Sequence, residues 1–192
     1  LEIGAALLNM TDWSFFIVQT NFFKMNIGKQ LSQWMQMDEE TWQRHANPLS
    51  VFSRMLLLPL ILFAIWSRKW IGWKAIFPFG LAMLWNWYNP RLFDKPKSTD
   101  NWASKAVFGE RVWLKKDEEA IPDRHRGLPE FLNAVNAAGF FISIVGAFQR
   151  KIWVSSTGAA MNYLAKFWFL DRMVWLFNEQ QEKHKKYRKW IY

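Results

Sequence analysis

The sequence predicts an all-α, polytopic transmembrane protein with about four spans in two hairpins, an interfacial N-terminal helix and a basic C-terminal helix. Three observations predict it. Apolar residues gather into blocks of helix length, and charges are concentrated between the blocks. Aromatic side chains make up 18% of the 192 residues, with 14 Trp. Many of those Trp residues stand at block ends (Trp66, Trp70, Trp85, Trp87, Trp153 and Trp168), the level of a bilayer where a half-wet ring is favoured. The mean hydropathy of −0.15 does not oppose this reading, because polar connectors dilute the blocks and only helix-length windows are informative.

Residues 1–50 form the first segment. Over residues 1–35, Trp13, Phe16, Ile17, Phe23, Ile27, Leu31 and Trp34 recur near helical spacing, while Asn21, Lys24, Gln30 and Gln33 interrupt them. The pattern fits an amphipathic helix lying in the interface, with a degenerate span over 13–23 as the alternative. The first residues lack the basic-then-apolar pattern of a secretory leader. A short polar helix follows and stops at Asn47-Pro48, since the residue before proline is biased away from helix.

Residues 51–88 form the first hairpin. Its first span, 51–66, would rise ~24 Å, with Arg54 snorkelling to the interface and Pro59 free to kink it. Ser67-Arg68-Lys69 reads as the turn, and the second span, 70–88, would rise ~28 Å, a bilayer's thickness. The connector 89–130 carries nine Lys/Arg and eight Asp/Glu, and its Trp and Phe argue for structure. A short amphipathic helix is expected over 102–114. The second hairpin, 131–170, turns at Arg150-Lys151. Small residues four apart (Gly139, Ser143 and Ala147; Ala134 and Ala138; Ser155 and Ala159; Ser156 and Ala160) suit close packing of its two spans. Residues 171–192 form the basic C-terminal helix, in which Lys183, Lys185, Lys186, Arg188 and Lys189 face few acids, and Trp190, Ile191 and Tyr192 are placed to dip into the interface.

Four spans put both termini and the connector on one side. That side holds most of the Lys and Arg, so the positive-inside rule makes both termini cytoplasmic. The net charge of +9 points to anionic headgroups; nucleic acid is not expected as a partner, because the basic residues flank apolar blocks. The absence of cysteine excludes disulfides, thiolate metal sites and cysteine nucleophiles. His45, His125 and His184 show no metal-ligand spacing, and no cofactor is expected.

Two clusters carry the candidate chemistry. One runs from Trp42 through Arg44, His45, Asn47, Pro48, Ser50 and Val51 to Arg54. The other joins Asn89, Pro90, Arg91, Leu92 and Phe93 to Trp102, Ser104, Val107, Gly109, Glu110, Arg111 and Trp113. Over residues 40–130 these words resemble a family of small, tryptophan-rich bacterial and archaeal integral membrane proteins of unknown function. The resemblance implies a membrane protein, expected in a bacterial inner membrane, and brings no catalytic residue with it.

The plainest reading of the clusters is structural: each Asn-Pro ends a helix, and the arginines meet phosphates or acids. The enzymatic alternative makes Arg44, Arg54, Arg91 and Arg111 a phosphate clamp, with His45 or Glu110 as acid or base. It lacks a paired carboxylate, a phosphate loop and a nucleophile motif. Span centres free of charge argue against transport. The function expected is a non-catalytic accessory or scaffolding membrane subunit, packing against a larger complex or another copy of itself and against lipids. The alternative is a membrane enzyme acting on a lipid or phosphorylated headgroup at the cytoplasmic face.

Overall fold

A computed structural model describes residues 34–116 and 121–192. The expected interfacial helix over 1–35 lies almost wholly outside them. Among the described residues the structure is all-helical, without strands. The helices are α1 (Glu39–His45), α2 (Pro48–Arg54), α3 (Leu57–Ile71), α4 (Ile76–Leu92), α5 (Trp102–Trp113), α6 (Gly127–Phe148), α7 (Ile152–Lys183) and α8 (Lys185–Arg188), with 3-10 turns at Gly72–Ala75 and Asp123–His125. Two helical stretches are long and apolar enough to cross a membrane, Pro48–Leu92 and Asp123–Phe148.

The first stretch folds back on itself. Asn89 and Trp85 on α4 bond Ser53 on α2, so α4 returns antiparallel to α3. The reversal sits at Gly72, whose φ of 58° suits a residue without Cβ. This corrects the turn expected at Ser67–Lys69. Those residues stay helical because the Ser67 hydroxyl and the Arg68 Nε both donate to carbonyls one turn back, Ala64 and Ile65. Pro59 and Pro78 each occupy the third position of a helix, where the missing N–H has no intrahelical partner to lose. Asn89-Pro90 does not end its helix, which runs on to Leu92. Asn47 does separate two helices, capping α2 by accepting from the Leu49 N–H at 2.9 Å.

Helix α7 is the spine. Its 32 residues span ~48 Å. Its N-terminal half packs on α6, and its C-terminal half packs on α5. The expected small residues meet at the α6–α7 crossing: Gly139, Ser143 and Ala147 are buried, and Ser155 donates to the Ser143 carbonyl at 3.0 Å. The partner series on α7 is Ser155 with Gly158 rather than Ser156 with Ala160, since Ser156 and Ala160 face outward. Asn136 and Asn162 add a reciprocal pair, each amide donating to the other's backbone carbonyl at 3.0 and 2.9 Å.

There is no separate C-terminal helix beginning at 171, because α7 runs unbroken to Lys183. The backbone of residues 190–192 folds back on the bundle, with the Tyr192 side chain exposed. Trp190 stacks on Phe177 with planes 5° apart, and Thr99 N–H donates to the Tyr192 carbonyl at 2.8 Å. The tail thus closes a dense core of Ala106, Val107, Phe108, Val112, Phe169, Met173 and Phe177. The other core, between the hairpin and α6, is thin: among the described residues only Ile61, Ile65, Ala82 and Ala147 are buried in it. Around it, Phe63, Trp73, Phe77, Leu81, Phe141, Trp153 and Leu164 face outward, each more than half exposed.

Candidate functional site

Part of the expected set, His45, Asn47, Arg54, Asn89 and Glu110, lies where α1, α2, α4, α5 and α7 meet. Asp38 starts α1 by accepting from the Thr41 N–H at 2.7 Å, which delivers His45 to the last turn and into the interior. Asn47 then caps α2, and Ser50 and Ser53 follow one helical turn apart. Ser50 Oγ donates to Asn89 Oδ1 at 2.9 Å, and Asn89 Nδ2 donates to Ser53 Oγ at 2.8 Å. The Ser50 proton is therefore committed to Asn89, and the 3.0 Å contact with His45 makes the histidine Nδ1–H the donor. Ser53 in turn donates to the Ser50 carbonyl at 3.3 Å. From α5, Ser104 Oγ donates to the Ala46 carbonyl at 2.6 Å. Ser50, Asn89 and Ser104 are all fully buried. Burial pushes the His45 pKa well below its ordinary 6.5, and the charges of Arg54 and Lys166 lower it further. A neutral His45 donating to Ser50 does not act as that hydroxyl's base; the chain is a clasp joining α1, α2 and α4.

Arg54 and Glu110 attract one another, and Glu110 accepts from Lys166 Nζ at 3.2 Å. Electrostatics thus links His45 to Arg54 and Lys166, and Arg54 to Glu110. Lys166 and Tyr163, which donates to the Met55 carbonyl at 2.5 Å, complete the junction from α7. These two stand three apart on α7, the spacing that puts residues on one helix face; that spacing was the available signal for them.

The other expected arginines do not form a common clamp. Arg44 pairs with Glu40 at 3.1 Å and donates to the Arg91 carbonyl at 3.0 Å. Arg91 donates to the Trp87 carbonyl at 2.7 Å and lies over the Trp87 ring. Arg111 holds Glu39 with both nitrogens of its fork and covers Trp190, and the pairing keeps the Glu39 carboxyl below its ordinary pKa. Asn47 Nδ2 donates to the Asp94 carbonyl at 2.9 Å. In the tail, Lys183 pairs with Glu179 at 2.6 Å, Arg188 donates to the Glu182 carbonyl at 3.0 Å, and Lys185, Lys186 and Lys189 are exposed.

A second cluster escaped sequence reasoning because its members are far apart in the chain. Glu179 accepts from Lys183 at 2.6 Å, Arg124 at 2.6 Å and His125 Nε2 at 3.0 Å. Lys183, then Arg124 and His125, hold the Glu179 carboxyl down to about 2. A folded pKa below the unfolded one contributes stability above about 4.5, which is lost as pH falls toward about 2. Discounted for solvent contact, the contribution is on the order of 1–2 kcal/mol. Melting curves of wild type and Glu179→Gln should therefore differ near neutral pH and converge as pH falls through that window. A gap independent of pH would sink the assignment.

Among the described residues no three His, Asp or Glu side chains gather to hold a metal ion. Comparison with curated proteins and with solved structures finds no match. A family model matches residues 26–188, which takes in both clusters, both hairpins and nearly all of the tail, well beyond the 40–130 stretch that carries the resemblance in sequence. The chain belongs to that family, described as a family of unknown function (DUF6653).

Proposed function

We propose that this chain is an integral membrane protein with four helical crossings in two hairpins, and that it serves as a non-catalytic accessory subunit packing laterally against another membrane protein or another copy of itself. The observation that carries the reading is the outward apolar surface of α3, α4, α6 and the first half of α7. No carboxylate occurs in residues 49–93 or 131–170. In water, so large an exposed apolar surface would be a liability; in lipid it is the required one. The first half of α7 is less apolar than the other three crossings, and its polarity is largely spent inside the bundle. Ser155 and Asn162 bond α6, Tyr163 bonds Met55 and Lys166 bonds Glu110. Such interhelical bonds are how a crossing carries polar side chains. The basic residues around α1, α5 and the tail favour the cytoplasm for that end.

The electrostatic linkage of His45, Arg54, Glu110 and Lys166 favours a second reading, an enzyme acting on an anionic headgroup at the cytoplasmic face. The closed hydrogen-bond chain from His45 to Ser53 ranks it below the first.

The cysteine-free sequence provides the test. Single cysteines at Lys69 and Lys189 should be labelled by an impermeant maleimide from opposite sides of sealed cells, and the protein should stay in the membrane pellet through alkaline carbonate. Labelling of both from one side, or release by carbonate, would overturn the topology. Native mass spectrometry in mild detergent should show a dimer or a stoichiometric partner. A bare monomer that hydrolyses or transfers a phospholipid headgroup would move the assignment to the enzyme.

A further inference from the structure

The turns of the two hairpins lie at the same end of the molecule. Arg68 Nη2 at the end of α3 donates to the Phe148 carbonyl at the end of α6, 3.1 Å away, and the guanidinium sits 4.5 Å from the Phe148 ring centre. Behind this contact a cavity of about 480 Å3 opens between the first hairpin and α6. Ile61, Ile65, Phe79, Met83, Phe140 and Ile144 line it, and among the described residues Arg68 is the one charged residue in its wall. Its size falls in the ~300–1,000 Å3 range of ligand sites.

The charge at its mouth is one-sided. Arg68, Lys69 and Lys74 lie near the first turn, and Arg150 and Lys151 in the second, without a single carboxylate from 49 to 93 or from 131 to 170. At the opposite end the balance differs: Arg44, Lys105, Arg111, Lys116, Lys166 and Lys183 each meet a carboxylate. Arg68, by contrast, is held by two neutral carbonyls, Ile65 and Phe148. Those bonds fix its position and leave its full charge to be answered from outside.

We propose that this cavity binds an acyl chain of an anionic phospholipid, with Arg68 holding the headgroup phosphate and the neighbouring lysines adding attraction. The proposal rests on membrane insertion as set out above and adds a specific site. An apolar wall selects a hydrocarbon chain, and a guanidinium at its mouth selects a phosphate. A second copy of this chain is the weaker occupant, since a symmetric contact here would bring two cationic rims together.

The test uses the detergent-purified full chain, delipidated and offered dioleoyl phosphatidylglycerol and dioleoyl phosphatidylcholine in equal amounts, read by native mass spectrometry. Wild type should retain the anionic lipid by about fivefold or more over the zwitterionic one. Arg68→Gln should level the two. Ile76→Trp, on an exposed lining residue, should reduce both without touching the Arg68 bonds, while Leu84→Trp, exposed but outside the cavity, should change neither. Circular dichroism checks that each variant folds. Equal retention of both lipids by wild type, or a preference that survives Arg68→Gln, would overturn the proposal. So would a dimer that Ile76→Trp dissociates, since the occupant would then be a second copy. Failure of insertion itself would appear earlier, as protein that stays soluble once detergent is removed.

Discussion

Gly109→Ala should cost the protein about 3 kcal/mol or more of stability, the upper end of what overpacking does. Helix α5 crosses α7 at Gly109, and a methyl group there would overlap the Met173 carbonyl and lie 3.0 Å from the Met173 Cα. The obstacle is backbone in the middle of a helix, which cannot turn aside as a side chain does. Relief requires the helices to separate, which would unpack Phe108 from Phe177 and Trp190. Gly158→Ala should act the same way at the α6–α7 crossing, where the new Cβ would meet the Gly139 carbonyl oxygen at 2.8 Å. Gly80→Ala is the control. It lies within α4 with nothing inside 4 Å, so the substitution should be neutral or stabilising by up to ~1 kcal/mol through helix propensity alone. Thermal melts followed by circular dichroism, in one detergent, compare the three. Similar melting temperatures for Gly109→Ala and Gly80→Ala would refute the close crossing.

The second large effect is expected at the buried clasp. Asn89→Leu keeps most of the volume but strips Ser50 of its acceptor and Ser53 of its donor. Each buried group left unpaired costs ~1–3 kcal/mol, so a loss of about 2–4 kcal/mol is expected. A packing effect alone would predict no rescue by changing the partners. The hydrogen-bond account predicts that Ser50→Ala and Ser53→Ala, added to Asn89→Leu, recover a good part of the loss, because an apolar set leaves fewer orphaned groups. A triple variant less stable than Asn89→Leu would refute it.

The helical class, the apolar blocks and the turn at Arg150-Lys151 were legible because each depends on composition over a short window. The short helix in the connector was legible too, ending within one residue of its expected bound. The first turn was misplaced because a basic triplet reads as a loop, whereas Ser67 and Arg68 satisfy local carbonyls and leave the reversal to Gly72. Asn89-Pro90 misled in the same way, since tertiary bonds from Asn89 hold its turn helical. His45, Arg54 and Glu110 could be named from sequence as candidates. Their common location could not, because it depends on α7 bringing Lys166 and Tyr163 across the chain. The alternative of a four-arginine clamp could not be weighed until partners were placed: Glu39 and Glu40 are close in sequence to Arg44, but nothing in the sequence assigns Glu39 to Arg111.

The unbroken α7 carries the α6 crossing on its first half and a wall of the dense core on its second. Melting the dense core would release the helix that α6 crosses, and parting that crossing would fray the same helix at its other end. Hydrogen exchange along residues 152–183 should therefore report a single opening free energy rather than two, a cooperative unit set by one uninterrupted run of backbone.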